Sequence, residues 1–230
     1  MREIIFDTET TGLDPRSGDR LVEIGCIEMI NRVATGATYH CYFNPERDMP
    51  EEAERVHGLS ITFLADKPLF AEKAQEFLDF IGDSPMVAHN ASFDFGFINA
   101  ELTRAGFEPV SLDRMVDTVK IARQKHPGAK NSLDALCTRY GVDRSHRTKH
   151  GALLDSELLA QVYVELLGGR QIGLGLAAES VSISASVTTI SATATRDRPF
   201  RAPRPHAASA DELAAHEAFL KKIKEPLWLQ

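Results

Sequence analysis

An α/β layered domain followed by a tail is what this sequence predicts, on three observations. Short apolar runs with strand character cluster near the N-terminus. Beyond them, stretches with helical apolar spacing alternate with a short apolar run. After Gly168-Gly169 the composition changes abruptly. Strands first and helices interleaved afterwards give an α/β or α+β layer.

The elements follow in order. Residues 3–7 form a short apolar run ending on an acid, and residues 20–30 and 38–43 read as two further strands of an antiparallel meander. Leu69, Phe70, Ala74, Phe77, Leu78 and Ile81 recur at helical spacing. Residues 85–88 then make a short buried strand that ends at His89. Asp94 opens a second helix as its N-cap, with Phe97, Ile98, Leu102 and Ala105 along one face and Gly106 as the stop. Further helices are predicted over residues 116–123, 132–140 and 151–167.

The chain divides into residues 1–170, 171–208 and 209–230. Of the 19 residues from 177 to 195, 14 are Ala, Ser or Thr, and four arginines among three prolines follow. Such a stretch buries too little to offset its ordering entropy and reads as a flexible linker, although SVSISASV also alternates like an edge strand. Ser209-x-x-Glu212 is a capping-box signature. Leu213, Phe219, Leu220 and Ile223 then give an apolar side to a short helix that Pro226 stops, with Trp228 beyond it.

With 43% hydrophobic residues, the chain has enough apolar side chains for a core. Its formal charge of −7 argues against a generally basic nucleic-acid coat, though not against an acidic pocket neutralised by bound metal. Cys26, Cys41 and Cys137 form no CxxC pair and read as buried or half-buried thiols in a reducing compartment. No apolar run approaches the roughly 18 residues of a membrane helix, so the expectation is a soluble cytoplasmic protein without membrane contact.

Four carboxylates and one histidine carry the chemistry: Asp7 and Glu9 in FDTETTG, Asp94 in HNASFD, His150 and Asp155 in HGALLD. Positions i and i+2 of a strand project from one face, so Asp7 and Glu9 point together. Alone, they read more readily as two surface acids on an edge strand. Gly12 and its neighbouring threonines suggest a tight turn whose backbone can approach a nucleotide. Gathered carboxylates resist ionising unless a cation sits among them, and hard divalent cations with oxygen ligands are the usual solution. An imidazole that can take a proton near neutral pH completes a set suited to metal-assisted phosphodiester hydrolysis.

DTET, HNA-x-FD and a closing H-x4-D, in this order, resemble the DEDD exonucleases of the histidine subclass. VHGLS, KPLF and NSLDALC extend the match through much of residues 1–170 and point to the proofreading ε-type subunits of bacterial DNA polymerase III. The resemblance implies a ribonuclease-H-like fold, a mixed five-stranded sheet flanked by helices. It also implies 3′→5′ hydrolysis of mismatched DNA ends to 5′-monophosphates, with two divalent cations, Mg²⁺ or Mn²⁺, held by Asp7, Glu9, Asp94 and Asp155. The spacing selects His150 over His146 as the base. Glu52 and His57 match positions that contact the terminal nucleotide, beside Asp7, Glu9 and Asp155, and Asp117 fits a structural or outer position. Gln171, Leu174 and Leu176 resemble a peptide that docks into the sliding clamp. DELAAHEAFL resembles the segment that binds the polymerase α subunit, with Leu213, Phe219, Leu220 and Trp228 as anchors. A small θ-like subunit is a third implied partner. A free-standing RNA exonuclease and a non-catalytic polymerase scaffold are the rival readings.

Overall fold

Alternating apolar residues at the N-terminus can bury both faces of a central strand, and they do. In the computed structural model, which describes residues 1–147, 149–169 and 208–222, β1 (Arg2–Thr10) is the middle of a five-stranded sheet. It pairs antiparallel with β2 (Leu21–Ile30), which pairs antiparallel with β3 (Val33–Tyr42). On its other side lie β4 (Met86–Ala88) and β5 (Met115–Asp117), both parallel. The order β3-β2-β1-β4-β5 makes the sheet mixed.

Helices cover both faces. Ile4 and Phe6 pack in one cluster with Phe77 of α3 (Phe70–Ile81) and Phe95 and Phe97 of α4 (Ala91–Arg104). Ile5 packs in the other with Leu159 and Tyr163 of α7 (Ala152–Leu166). The alternation continues past the core: Asp7 and Glu9 extend the Ile5 face, and Thr8 extends the Phe6 face. Four shorter helices, α1 (Glu51–His57), α2 (Ile61–Leu64), α5 (Thr118–Lys125) and α6 (Leu133–Tyr140), belong to the first of two units, Met1–Ala177. All three cysteines are free; Cys26 and Cys137 are buried and Cys41 half-buried.

The expected meander is present, but β3 begins at Val33, five residues before the expected 38. The helix expected from residue 116 begins at Thr118: Val116 is a strand residue paired with Val87, and Asp117 caps the helix by accepting from the Val119 N–H at 2.9 Å. Asp94 is not an N-cap. Asn90 takes the left-handed conformation at φ 68° and starts α4 earlier, which places Asp94 in its first turn.

In the second unit, α8 (Ala210–Leu220) carries the expected capping box: Ser209 Oγ accepts from the Glu212 N–H at 3.3 Å, and Glu212 accepts from the Ser209 N–H at 2.8 Å. Leu213 and Phe219 are exposed and Leu220 is buried. Gln171, Leu174, Leu176, Trp228 and the linker lie outside the described residues. Among the described residues, no helix is long and apolar enough to cross a membrane.

Candidate active site

One glycine explains how the third motif reaches the first. Gly25 of β2 lies opposite Asp7, and a Cβ there would sit 2.3 Å from the backbone nitrogen of Leu153. The first turn of α7 therefore rests directly on the strand, fastened by Ser156 Oγ donating to the Gly25 carbonyl at 2.9 Å. Asp155, one residue earlier, comes down beside Asp7 and Glu9. Asp94 arrives from α4 and accepts a hydrogen bond from Thr8 Oγ1 at 2.7 Å. His150, on the loop entering α7, donates its backbone N–H to the Val56 carbonyl at 3.3 Å. All five side chains line one cleft of about 300 Å³. His146 is exposed on the same loop and does not line it.

Three of the carboxyls resist ionising. Burial, then the charges of Asp94, Glu9 and Asp155, push Asp7 well above the usual carboxylate range. Burial, then Glu23 on the facing strand and Asp155, raise Glu9 to about 8. Burial lifts Asp94 to about 7 against the opposing Thr8 hydrogen bond. Asp155 goes the other way. Burial would raise it, but the neighbouring His150 ring and the Arg147 guanidinium outweigh that and hold it below its ordinary value.

This donor set fits a hard divalent cation. Ligand atoms of Glu9, His150 and Asp155 all lie within 4.8 Å of one another, and Asp7 and Asp94 share the cleft. A positive charge there would relieve the repulsion that helps disfavour the ionised carboxyls.

A second pocket of about 480 Å³ adjoins the cleft, sharing Thr8, Glu9 and Phe93 with it. Residues 8–13 form one wall, as the DTETTG turn suggested, and Glu52 and His57 form another. His57 is buried, and burial lowers its pKa. Its Nδ1 accepts from the Leu59 N–H at 3.0 Å, so the ring proton sits on Nε2, a buried atom with no hydrogen-bond partner among the described residues.

Arg147 escaped the sequence reading. Its guanidinium lies in the cleft, donating to both oxygens of Asp155 at 2.5 and 2.6 Å and to Asp134 at 2.7 Å. The available signal was the basic run RSHRTKH ahead of an acidic motif. Asp117, expected to be structural, accepts from the backbone of Asn90 and of Val119 and so braces the start of α4. His89, given no role from sequence, stands on the cleft wall, with Nδ1 2.9 Å from Thr118 Oγ1.

Comparison with known proteins agrees with this geometry. The exonuclease family profile matches residues 4–163. The DNA polymerase III subunit epsilon of Rickettsia felis is 49% identical over 226 residues, covering 97% of both chains. That of Escherichia coli K12 is 40% identical over 232 residues, covering 97% of this chain and 94% of its own. Among solved structures, exonuclease X in complex with 5′-overhanging duplex DNA superposes with a TM-score of 0.56 at 25% identity, over 72% of this chain and 91% of its own. The zinc-bound E. coli exonuclease I–ssDNA complex, at 19% identity and TM-score 0.63 over 74% of this chain and 41% of its own, shares the fold. The five-stranded mixed sheet with its flanking helices is thus the ribonuclease-H-like exonuclease fold. With a family profile spanning most of its length and relatives matched nearly end to end, the chain belongs to the exonuclease family, among the epsilon subunits of DNA polymerase III.

Proposed function

We propose that the chain is the 3′→5′ proofreading exonuclease of a replicative DNA polymerase, hydrolysing mismatched 3′-terminal nucleotides to 5′-monophosphates. The observation that carries this reading is the gathering of four carboxylates and His150 in one cleft beside a pocket sized for a nucleotide. Asp7, Glu9, Asp94 and Asp155 would hold two divalent cations, Mg²⁺ or Mn²⁺. When bound, such ions neutralise charge on the phosphate and make water a better nucleophile at neutral pH.

The protein's own groups do the rest. His150 lies with Nδ1 3.0 Å from Asp155 Oδ2. Donation of that N–H to the carboxylate leaves Nε2 as the lone pair that takes the proton of an attacking water, a contribution of roughly 10²–10⁴ in rate. Asp155 orients the ring and stabilises its cationic form. His57 and Glu52 hold the terminal nucleotide, and the buried Nε2–H of His57 supplies a donor for it. A pocket for one unpaired nucleotide favours frayed ends, because unpairing costs a few kcal/mol and least at a mismatch.

The remaining residues serve assembly. Residues 209–230 bind the polymerase α subunit through Leu213, Phe219, Leu220 and Trp228; of these Leu213 and Phe219 are exposed on α8, and exposed apolar anchors on a helix suit a groove on a partner. Gln171, Leu174 and Leu176 dock into the sliding clamp, a small θ-like subunit can join the nuclease domain, and the complex works in the cytoplasm. Residues 171–208 tether the domain beside the polymerase at high effective concentration.

The test is hydrolysis by the full chain of matched and mismatched 3′ ends, on DNA and on RNA, with EDTA and with Mg²⁺ or Mn²⁺ restored. Asp7→Ala should remove nearly all activity and keep the fold. Full activity in chelator, or a preference for RNA, would overturn the proposal.

A further inference from the structure

Of the four carboxylates proposed to hold metal, Asp155 is already paired with a cation. Arg147 Nε donates to its Oδ1 at 2.5 Å and Nη2 to its Oδ2 at 2.6 Å. This is a bidentate fork between two side chains that are 9% and 3% exposed. A divalent cation bound by the same oxygens would lie against the guanidinium, two positive groups in a buried site. The two compete for the carboxylate.

The same guanidinium also constrains the imidazole. Nη2 lies 2.7 Å from His150 Nδ1, and an arginine nitrogen only donates. A neutral His150 in that contact presents its Nδ1 lone pair to Arg147 and carries its proton on Nε2, which then has no lone pair to take a proton from water. Yet Nδ1 is also 3.0 Å from Asp155 Oδ2, placed to donate to it once the arginine is gone. An exit is at hand. Arg147 Nη1 is already 2.7 Å from Asp134 Oδ1, and that carboxylate is about half exposed on the cleft wall.

We infer that Arg147 is a displaceable internal cation: a divalent ion takes Asp155 only as the guanidinium withdraws toward Asp134, and that withdrawal lets His150 adopt the tautomer of a base. The inference rests on the reading of Asp155 as a metal ligand. Arg147 is a positioning residue here, and it sets both the affinity for the ion and the form of the imidazole. A purely structural Arg147 would have the opposite sign, because removing it would loosen the site.

The experiment is Mn²⁺ binding by the full chain, followed by calorimetry or by the EPR signal of free ion, at one ionic strength. Arg147→Met should tighten binding about tenfold, the ratio that roughly 1.4 kcal/mol of lost competition gives. Arg147→Lys keeps the charge and loses the fork, so it should also tighten binding, and it serves if the methionine variant folds poorly. Lys149→Met, which removes a cation that makes no hydrogen bond to Asp155, should change affinity by less than about twofold. ¹⁵N shifts of His150 at pH 8 should place the ring proton on Nε2 in chelator and on Nδ1 in Mg²⁺. Mn²⁺ affinity equal to wild type or weaker in both Arg147 variants overturns the inference, as does one tautomer in both states. Asp155→Asn separates the two ideas. If it abolishes tight Mn²⁺ binding while the Arg147 variants fail to tighten it, only the inference falls; if it leaves binding unchanged, the metal assignment falls as well.

Discussion

Raising the pH on the metal-depleted protein strips protons from carboxyls that the fold has pressed together, and the size of that effect follows from the site. Glu9 is raised to about 8 and Asp94 to about 7, from ordinary values of 4.5 and 3.8. The folded state therefore holds these protons more tightly than the unfolded chain does. The resulting stability is fully present below about pH 4 and is lost as pH rises through 7 and then 8. Asp155, depressed instead, acts outside this window: its stability is present at neutral pH and lost only as pH falls below 3.8. In EDTA the melting temperature should fall between pH 5 and pH 9, by an amount reflecting on the order of a few kcal/mol. A divalent cation must displace the same protons. Near pH 6 Glu9 and Asp94 are largely protonated and Asp7 is raised with them, so binding should release about two protons or more, and fewer near pH 9. Calorimetric Mn²⁺ titrations in buffers of different ionisation enthalpy count these protons directly. Release of less than about half a proton at pH 6, or an equal release at both ends, would refute the electrostatic account.

His150→Gln should cost roughly 10²-fold or more in rate while His146→Gln costs little; equal effects in steady-state hydrolysis would mean the base is misassigned. Gly25→Ala places a methyl 2.3 Å from the Leu153 nitrogen, where the obstacle is backbone and cannot swing aside. It should destabilise the domain by about 1–3 kcal/mol and weaken Mn²⁺ binding by lifting Asp155. A variant with the wild-type melting curve would show that α7 does not rest on this glycine. Deleting residues 205–230 should leave hydrolysis of free single strands unchanged and abolish co-elution with the polymerase, and Gln171→Ala with Leu174→Ala should weaken only clamp capture in a pull-down. Retained co-elution or unchanged capture would remove the corresponding segment from the assembly.

What the sequence made legible was whatever periodicity and residue type encode locally. Asp7 and Glu9 share a face because a strand repeats every two residues, and β1 keeps that pattern to its end. The capping box at Ser209 needs only two side chains three residues apart. Failures came where a neighbour decides. β5 is three half-buried residues whose strand state comes from pairing with β4, so Val116 read as the start of a helix. The first half of β3 is exposed on both faces and offers no apolar contrast. Asn90's left-handed backbone starts α4 at Ala91, three residues before Asp94, and that backbone state is not written in residue type or apolar spacing. Arg147 was invisible for a related reason. Its pairing with Asp155 spans eight positions and depends on how a loop folds back over α7.

The cleft assembles charge that the fold alone has no use for, and it balances that charge in two ways. On the β1 and α4 side, burial and mutual repulsion disfavour the ionised forms of Asp7, Glu9 and Asp94. On the α7 side, where Asp155 is ionised, Arg147 supplies the compensating charge. Neither device suffices for the other's half. A proton on Asp155 would remove its hold on His150, and no arginine reaches Glu9 by hydrogen bond among the described residues. On the proposed function, a single type of ligand, a divalent cation, would replace both, expelling protons from one side and a guanidinium from the other. The site is therefore stable enough to fold before it is loaded and poorly satisfied until it is. On the proposed function, that imbalance would be the source of the site's affinity for metal, and it would link the ionisation of the carboxyls, the placement of Arg147 and the readiness of His150 to one binding event.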